Sequence, residues 1–133
     1  SVKIRAFLDK QGRPRATKYQ PKKFKDREKD YIRQINEQLP EDFEMFTEQV
    51  VVEQMTFVFP PLQSFSKKKM KFIEDGGVVP KTTKPDLPDN LKKLPLDAMS
   101  GLVFKDDALI WKECITEKIY GLEGHIIIKL KGR

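Results

Sequence analysis

Two short stretches carry residue types that can do chemistry. Asp86 and Asp89 stand three residues apart in "KPDLPDNL", and Asp106 and Asp107 are adjacent in "GLVFKDDALIW". Two readings compete. Aspartates at a helix start or in a turn accept hydrogen bonds from free backbone N–H groups and meet the positive end of the helix dipole, and Pro88 between the first two suits a first helical turn. Alternatively, carboxylates from a turning segment and from the loop before a strand converge as hard oxygen ligands for Mg²⁺. A cation held there would lower the pKa of bound water and neutralise charge on a phosphate oxygen. Without a cation the like charges repel, and Lys81, Lys84, Lys92, Lys93 and Lys105 nearby can offset that repulsion while gripping an anionic substrate.

Other chemistries have little to build on. Cys114 is the only cysteine, which rules out an intramolecular disulfide and a thiolate metal cluster. In "LIWKECI" it reads as a buried, inert thiol. His125, the only histidine, lies in "GHIIIKL" with no nucleophile motif beside it, and reads as structural or solvent-facing.

The elements that must position these groups follow from periodicity. "VKIRAFL" alternates from Val2 to Leu8 as a half-buried strand does. Phe24 to Leu39 has the spacing of a helix with Phe24, Tyr31, Ile32, Ile35 and Leu39 on one stripe, stopped by Pro40. Val50 to Phe59 is rich in β-branched and aromatic residues and reads as a strand. A short helix after Ser64 or Ser66 ends at Gly76-Gly77, and "VVPKTTKPDLP" is an extended basic linker. A further helix is expected from Asp86 or Leu87 to about Ser100, with a bend or break near Leu94 because Pro95 is awkward inside it. "ALIWKECITEKIYG" and "GHIIIKLKG" read as two closing strands. The order β, α, β, short α, α, β, β implies an α+β domain.

The chain has 133 residues, enough for one compact domain, with 38% apolar and 35% charged residues. So modest a core favours pairing with a second copy. The formal charge of +6 favours a polyanionic partner, weakly by itself. The positive residues cluster: Arg13, Arg15, Lys18, Lys22 and Lys23 in and after a Gly/Pro-rich loop, Lys67, Lys68 and Lys69 after Ser66, and Lys84 beside Asp86. Such groups contact phosphates and position DNA without reading its sequence, although a charge run is often only a solvated face. No apolar run approaches the roughly 20 residues that span a membrane, and no signal peptide is visible, so a cytoplasmic, reduced setting and no membrane partner are expected.

"TKPDLPDNLKKLPLDAMSGLVFKDDALI" resembles the signature of the RusA family of Holliday junction resolvases: Asp-Leu-Asp-Asn-Leu, a lysine, Asp-Ala-Leu, a glycine, then Asp-Asp before a strand. Gly12-Arg13-Pro14-Arg15 with Tyr19-x-Pro21-Lys22, and Ser64-x-Ser66-Lys67-Lys68-Lys69, resemble that family's flanking basic segments in the same order. The resemblance covers most of the chain and implies a single RusA-like endonuclease domain over residues 1–133, with a small mixed β-sheet flanked by two main helices. It implies a homodimer that hydrolyses phosphodiesters in four-way DNA junctions, in recombination and repair, with Mg²⁺ (or Mn²⁺ in its place). Carried over by position, Asp89 and Asp107 are catalytic metal ligands, with Asp86 and Asp106 beside them, Lys93 is the motif's lysine, and Asp97-Ala98 its Asp-Ala. The sequence departs in reading Asp-Leu-Pro-Asp for Asp-Leu-Asp, which sets Asp86 one residue further from Asp89 than the pattern has it, and in carrying Pro95. Two rivals stand beside this reading: a non-catalytic branched-DNA-binding module whose aspartates cap a helix, and a nuclease selective for other branched DNA.

Overall fold

In the computed structural model, which describes residues 2–6, 21–86 and 91–133 (with the side chains of residues 2 and 21–25 outside the description), five strands form one mixed sheet beside three helices. In chain order they are β1 (Val2–Ala6), α1 (Pro21–Gln38), β2 (Val50–Phe59), α2 (Lys67–Glu74), β3 (Val79–Pro80), α3 (Lys93–Met99), β4 (Ile110–Tyr120) and β5 (His125–Gly132). The strand order is β1-β5-β2-β4-β3. Only β2 and β4 run parallel; β1–β5, β2–β5 and β3–β4 are antiparallel. This is an α+β fold whose three described helices include the short one expected after Ser66. The third strand, Val79–Pro80, lies in what the sequence suggests is only an extended linker, and it pairs with Tyr120 and Ile119.

The core gathers Tyr31 and Ile35 from α1, Val50, Val52, Met55 and Phe57 from β2, and Ile126, Ile128 and Leu130 from β5. Alternation on β5 buries every second residue, as a sheet with one packed face requires. On α1, Tyr31 and Ile35 are buried at a spacing of four, whereas Ile32 is left exposed. The helix begins at Pro21, three residues before the expected start, and proline suits a first helical position because the N–H it lacks has no intrahelical partner there.

Helix α2 has Ser66 as its cap: the hydroxyl oxygen accepts from Lys69 N at 3.1 Å. It ends as expected at Gly76, whose φ of +92° is a left-handed turn. Gly76 N donates to Ile73 O and Gly77 N to Phe72 O, closing the last carbonyls.

The next helix is where expectation and structure part. Asp86 does not open it; α3 spans only Lys93–Met99, and residues 87–90 lie outside the described residues. The late start also removes the awkwardness of Pro95. The proline falls in the first turn, where its missing N–H costs no hydrogen bond, and no break at Leu94 is needed. Leu94, Pro95, Ala98 and Met99 are buried, and α3 packs against α1.

Candidate active site

Past α3 the chain reverses over five residues, and this reversal places the acidic pair. Gly101 has φ +86°, a conformation unfavourable for a residue bearing a Cβ. Gly101 N donates to Phe104 O at 2.7 Å, while Met99 O accepts from Leu102 N and Val103 N. Val103 and Phe104 are fully buried, and their backbone is pinned to Phe46 from both sides: Phe46 N donates to Val103 O and Lys105 N donates to Phe46 O, each at 2.9 Å. Asp106 and Asp107 therefore leave a fixed anchor and enter a short 3₁₀ turn, Asp107–Leu109, at the start of β4.

Asp106 realises the capping reading: its carboxylate accepts from Ala108 N at 3.0 Å. That backbone bond, and then a hydrogen bond shared with Asp107, holds Asp106 below the ordinary carboxylate range. Asp107 is pushed the other way. The bond to Asp106 raises it first, then partial desolvation, then repulsion from Asp106 and Asp97. The two carboxyls thus divide their roles, Asp107 holding the proton more tightly than its neighbour.

Asp97 is not among the ligand candidates read from the sequence, although it stands at the motif's Asp-Ala. On α3 it is near enough to act on Asp107 and is bridged by Lys93, one turn earlier, at 3.4 Å. The i, i+4 spacing of Lys93 and Asp97 is the signal that sequence offers for it. Lys93, the lysine expected to serve catalysis, is therefore held beside the acidic group. Its neighbour Lys92 reaches the sheet instead, with Nζ 3.0 Å from a Glu113 carboxylate oxygen on β4.

Asp86 lies elsewhere. Lys84 Nζ is 2.7 Å from its carboxylate, and this bond, with the charges of Lys84 and Lys118, keeps its pKa low. Lys118 Nζ also donates to Pro85 O at 2.7 Å. Lys118 is near the far end of β4, and the eight steps from Ile110 span about 26 Å of strand. The structure brings together Asp97, Asp106 and Asp107 and leaves Asp86 toward the opposite end of β4. Asp89, Arg13, Arg15 and Lys18 lie outside the described residues. Lys22 and Lys23 are in the first turn of α1, with their side chains outside the description.

Lys67, Lys68 and Lys69 are exposed on the first turn of α2. Lys69 Nζ sits 4.5 Å from the centre of the Phe65 ring, and Phe65 stacks edge-on against Tyr120 at 4.8 Å. Phe65 thus packs the helix onto the sheet, while Phe72 remains exposed. Lys81 donates to Thr83 and to the Tyr120 hydroxyl, so a second group of lysines (Lys81, Lys84, Lys118) gathers at the Tyr120 end of β4. Cys114 is exposed on β4 rather than buried, in the first half of the strand, where Trp111 to Ile115 are all exposed. His125 is half-buried, its Nδ1 2.7 Å from Glu123 O, which fits a structural role.

Among the described residues, no group of three or more His, Cys, Asp or Glu side chains forms a ready metal site. The donor chemistry nevertheless suits a hard divalent ion. Asp106 and Asp97, the side chains that act on Asp107, offer carboxylate oxygens, and the repulsion they add at Asp107 is what a cation relieves.

Residues 3–131 match the family model for endodeoxyribonuclease RusA, and the chain belongs to that family. Membership makes it one of the junction-resolving endonucleases, DNA-binding proteins of recombination. No curated protein matches the chain. No helix among the described residues is long and apolar enough to cross a membrane.

Proposed function

We propose that the protein is a Mg²⁺-dependent endodeoxyribonuclease that resolves four-way DNA junctions by paired phosphodiester hydrolysis, in recombination and repair, working as a homodimer in the cytoplasm. The observation that carries this reading is the acidic pair at the start of β4, with Asp97 beside it, in a chain matched over nearly its whole length by a nuclease family. Asp107 and Asp89 are the principal ligands in this proposal, with Asp106 and Asp97 supporting, and Mn²⁺ substitutes for Mg²⁺. Asp86 joins them only if its bond to Lys84 is given up and the carboxylate moves along β4.

Magnesium, when bound, supplies charge neutralisation at the phosphate and a water nucleophile at neutral pH. The chain supplies the rest. Asp107, whose carboxyl its neighbours hold above the ordinary range, is relieved of their repulsion when a cation binds. Lys93, tethered to Asp97, presents an ammonium to the charge that develops on the phosphate or the leaving oxygen. The loop residues Arg13, Arg15 and Lys18 with Lys22 and Lys23, the cluster Lys67–Lys69, and Lys84 hold the junction's backbones. A two-fold dimer presents identical sites to opposed strands, which accounts for paired nicks.

The test is cleavage of a labelled four-way junction beside a linear duplex, with Mg²⁺ or EDTA, for the native protein and for Asp89→Asn and Asp107→Asn. Paired nicks that vanish with EDTA and in both variants, while binding persists, are expected. Tight junction binding without cutting at any Mg²⁺ or Mn²⁺ level would leave a binding module; equal cutting of flaps and junctions would leave a less selective nuclease.

A further inference from the structure

Where β4 begins, its pairing with β2 slips. Val50 opposes Ile110, but Val51 opposes Lys112, so Trp111 is an extra residue with no partner on β2. Such a bulge re-aims the side chain at that point. Trp111 is 63% exposed, the most exposed of the large apolar side chains described, and it is the chain's only tryptophan. An indole left in water at a register slip has no packing role to account for it.

Its surroundings have one chemistry. Trp111 walls a surface pocket of about 240 Å³ with Gln49, Val51, Lys131, Gly132 and Arg133. The lining holds an aromatic face, a branched aliphatic wall, two cationic side chains and one side-chain amide, and it has no acidic side chain. Val51 and Lys131 face each other in the β2–β5 register, and Arg133 N donates to Gln49 O at 3.0 Å, so the walls are tied to the sheet. An aromatic face with flanking cations suits an unpaired base on a phosphate chain: the ring stacks on the indole and the phosphates meet Lys131 and Arg133.

The position fits as well. Trp111 lies four residues after Asp107, a span of at most about 14 Å, about four base steps of duplex DNA. A strand cut at the acidic pair is within reach of the indole.

We infer that the Trp111 pocket takes an unstacked nucleotide of the substrate DNA, within about four base steps of the scissile phosphate, and thereby favours DNA whose bases are already unpaired, as at a branch point. The inference rests on the DNA-cleaving reading for its substrate, but its test does not depend on cutting.

Because Trp111 is the sole tryptophan, its emission reports on this one pocket. Emission is followed while a four-way junction, a blunt duplex and a six-nucleotide oligothymidine are titrated in EDTA, with binding measured separately by gel shift. The expected result is saturable quenching by the junction and the oligothymidine, with little by the duplex. Trp111→Ala should weaken junction binding about tenfold, and Trp111→Phe by no more than about threefold, since stacking on a ring is what is lost. Lys131→Gln should weaken binding chiefly at low salt while leaving full quenching at saturation.

Unchanged emission with the junction fully bound overturns the inference, as does a Trp111→Ala variant that binds normally. It is also overturned if emission shifts with protein concentration in the absence of DNA and Trp111→Ala lowers the assembled mass, because the pocket is then a contact between copies. Quenching with weakened binding in Trp111→Ala, but no cutting by the native protein in Mg²⁺, would leave the pocket standing and remove the nuclease reading. Cutting without quenching would do the reverse.

Discussion

Lys92, the residue just before α3, reaches across to β4 and places its ammonium 3.0 Å from the Glu113 carboxylate. Lys92 is the more sheltered partner, at 21% side-chain exposure against 36% for Glu113. The pair ties the segment that follows Asp89 to the strand that follows Asp107. It thus links the two halves of the acidic motif through tertiary structure, at a place where the sequence separates them by 18 residues.

Glu113→Gln should therefore damage activity more than stability. A partly exposed ion pair contributes about 0–1 kcal/mol, so the melting temperature should fall by only a few degrees. Junction cleavage at saturating Mg²⁺ should fall about tenfold, because a carboxylate displaced by an ångström loses much of its effect. Loss of stability and activity in equal measure would show that the pair is only a structural tie.

The opposed shifts of Asp106 and Asp107 set an acid limb. In the proposed site a cation would compete with a proton for Asp107, whose carboxyl is held above the ordinary carboxylate range. Cleavage at limiting Mg²⁺ should start to fall, as pH is lowered, earlier than an unperturbed aspartate would allow. Asp106→Asn removes the neighbour that raises Asp107 most, so the limb should move to lower pH. For the metal-free protein the same linkage predicts a definite sign. Raising the folded-state pKa of a carboxyl favours folding at low pH and is lost as pH rises through that raised value. Asp107→Asn should accordingly raise the melting temperature in EDTA at neutral pH, with the gain vanishing in acid. Thermal melts across the pH range check both signs.

Gly101 is expected to be costly to replace for conformational reasons alone. A Cβ there would meet nothing within 4 Å, yet the residue holds φ at +86°. Gly101→Ala should destabilise the fold by about 1–2 kcal/mol, measured by urea unfolding, and should lower cleavage by moving the turn that sets Asp106 and Asp107. Gly101→Asn should lose less, since asparagine tolerates this region better.

For Ser66 and the lysines after it, stability and DNA binding should separate. Ser66→Ala removes the cap on α2 and should cost about 1 kcal/mol, whereas Ser64→Ala should cost almost nothing. Replacing Lys67, Lys68 and Lys69 by Gln should leave stability nearly unchanged. The same change should flatten the dependence of junction affinity on log salt by about one for each phosphate these lysines neutralise. An unaltered slope would return this cluster to the status of a solvated face.

Local grammar was enough for much of this protein. The alternation in "VKIRA" and "HIIIKLKG", the β-branched run Val50–Phe59, the Ser66 cap and the Gly76 stop each act within a few residues, so they read directly as elements. The acidic motif and its flanking basic segments were legible for the same reason, as residue types in order, and they led to the family that the match over residues 3–131 then showed. What sequence could not determine was decided by the meeting of distant segments. Whether Pro95 breaks a helix depends on where that helix begins, and α3 begins late, in a segment pinned to β4 by Lys92 and Glu113. Whether Asp86 or Asp97 stands near Asp107 depends on the path of the chain beside a strand some 30 Å long, and that path sets Asp86 with Lys84, beside Lys118, while Asp97 is near enough to act on Asp107. Trp111 stands at one slipped residue between β2 and β4, a mismatch that exists only once the two strands are side by side.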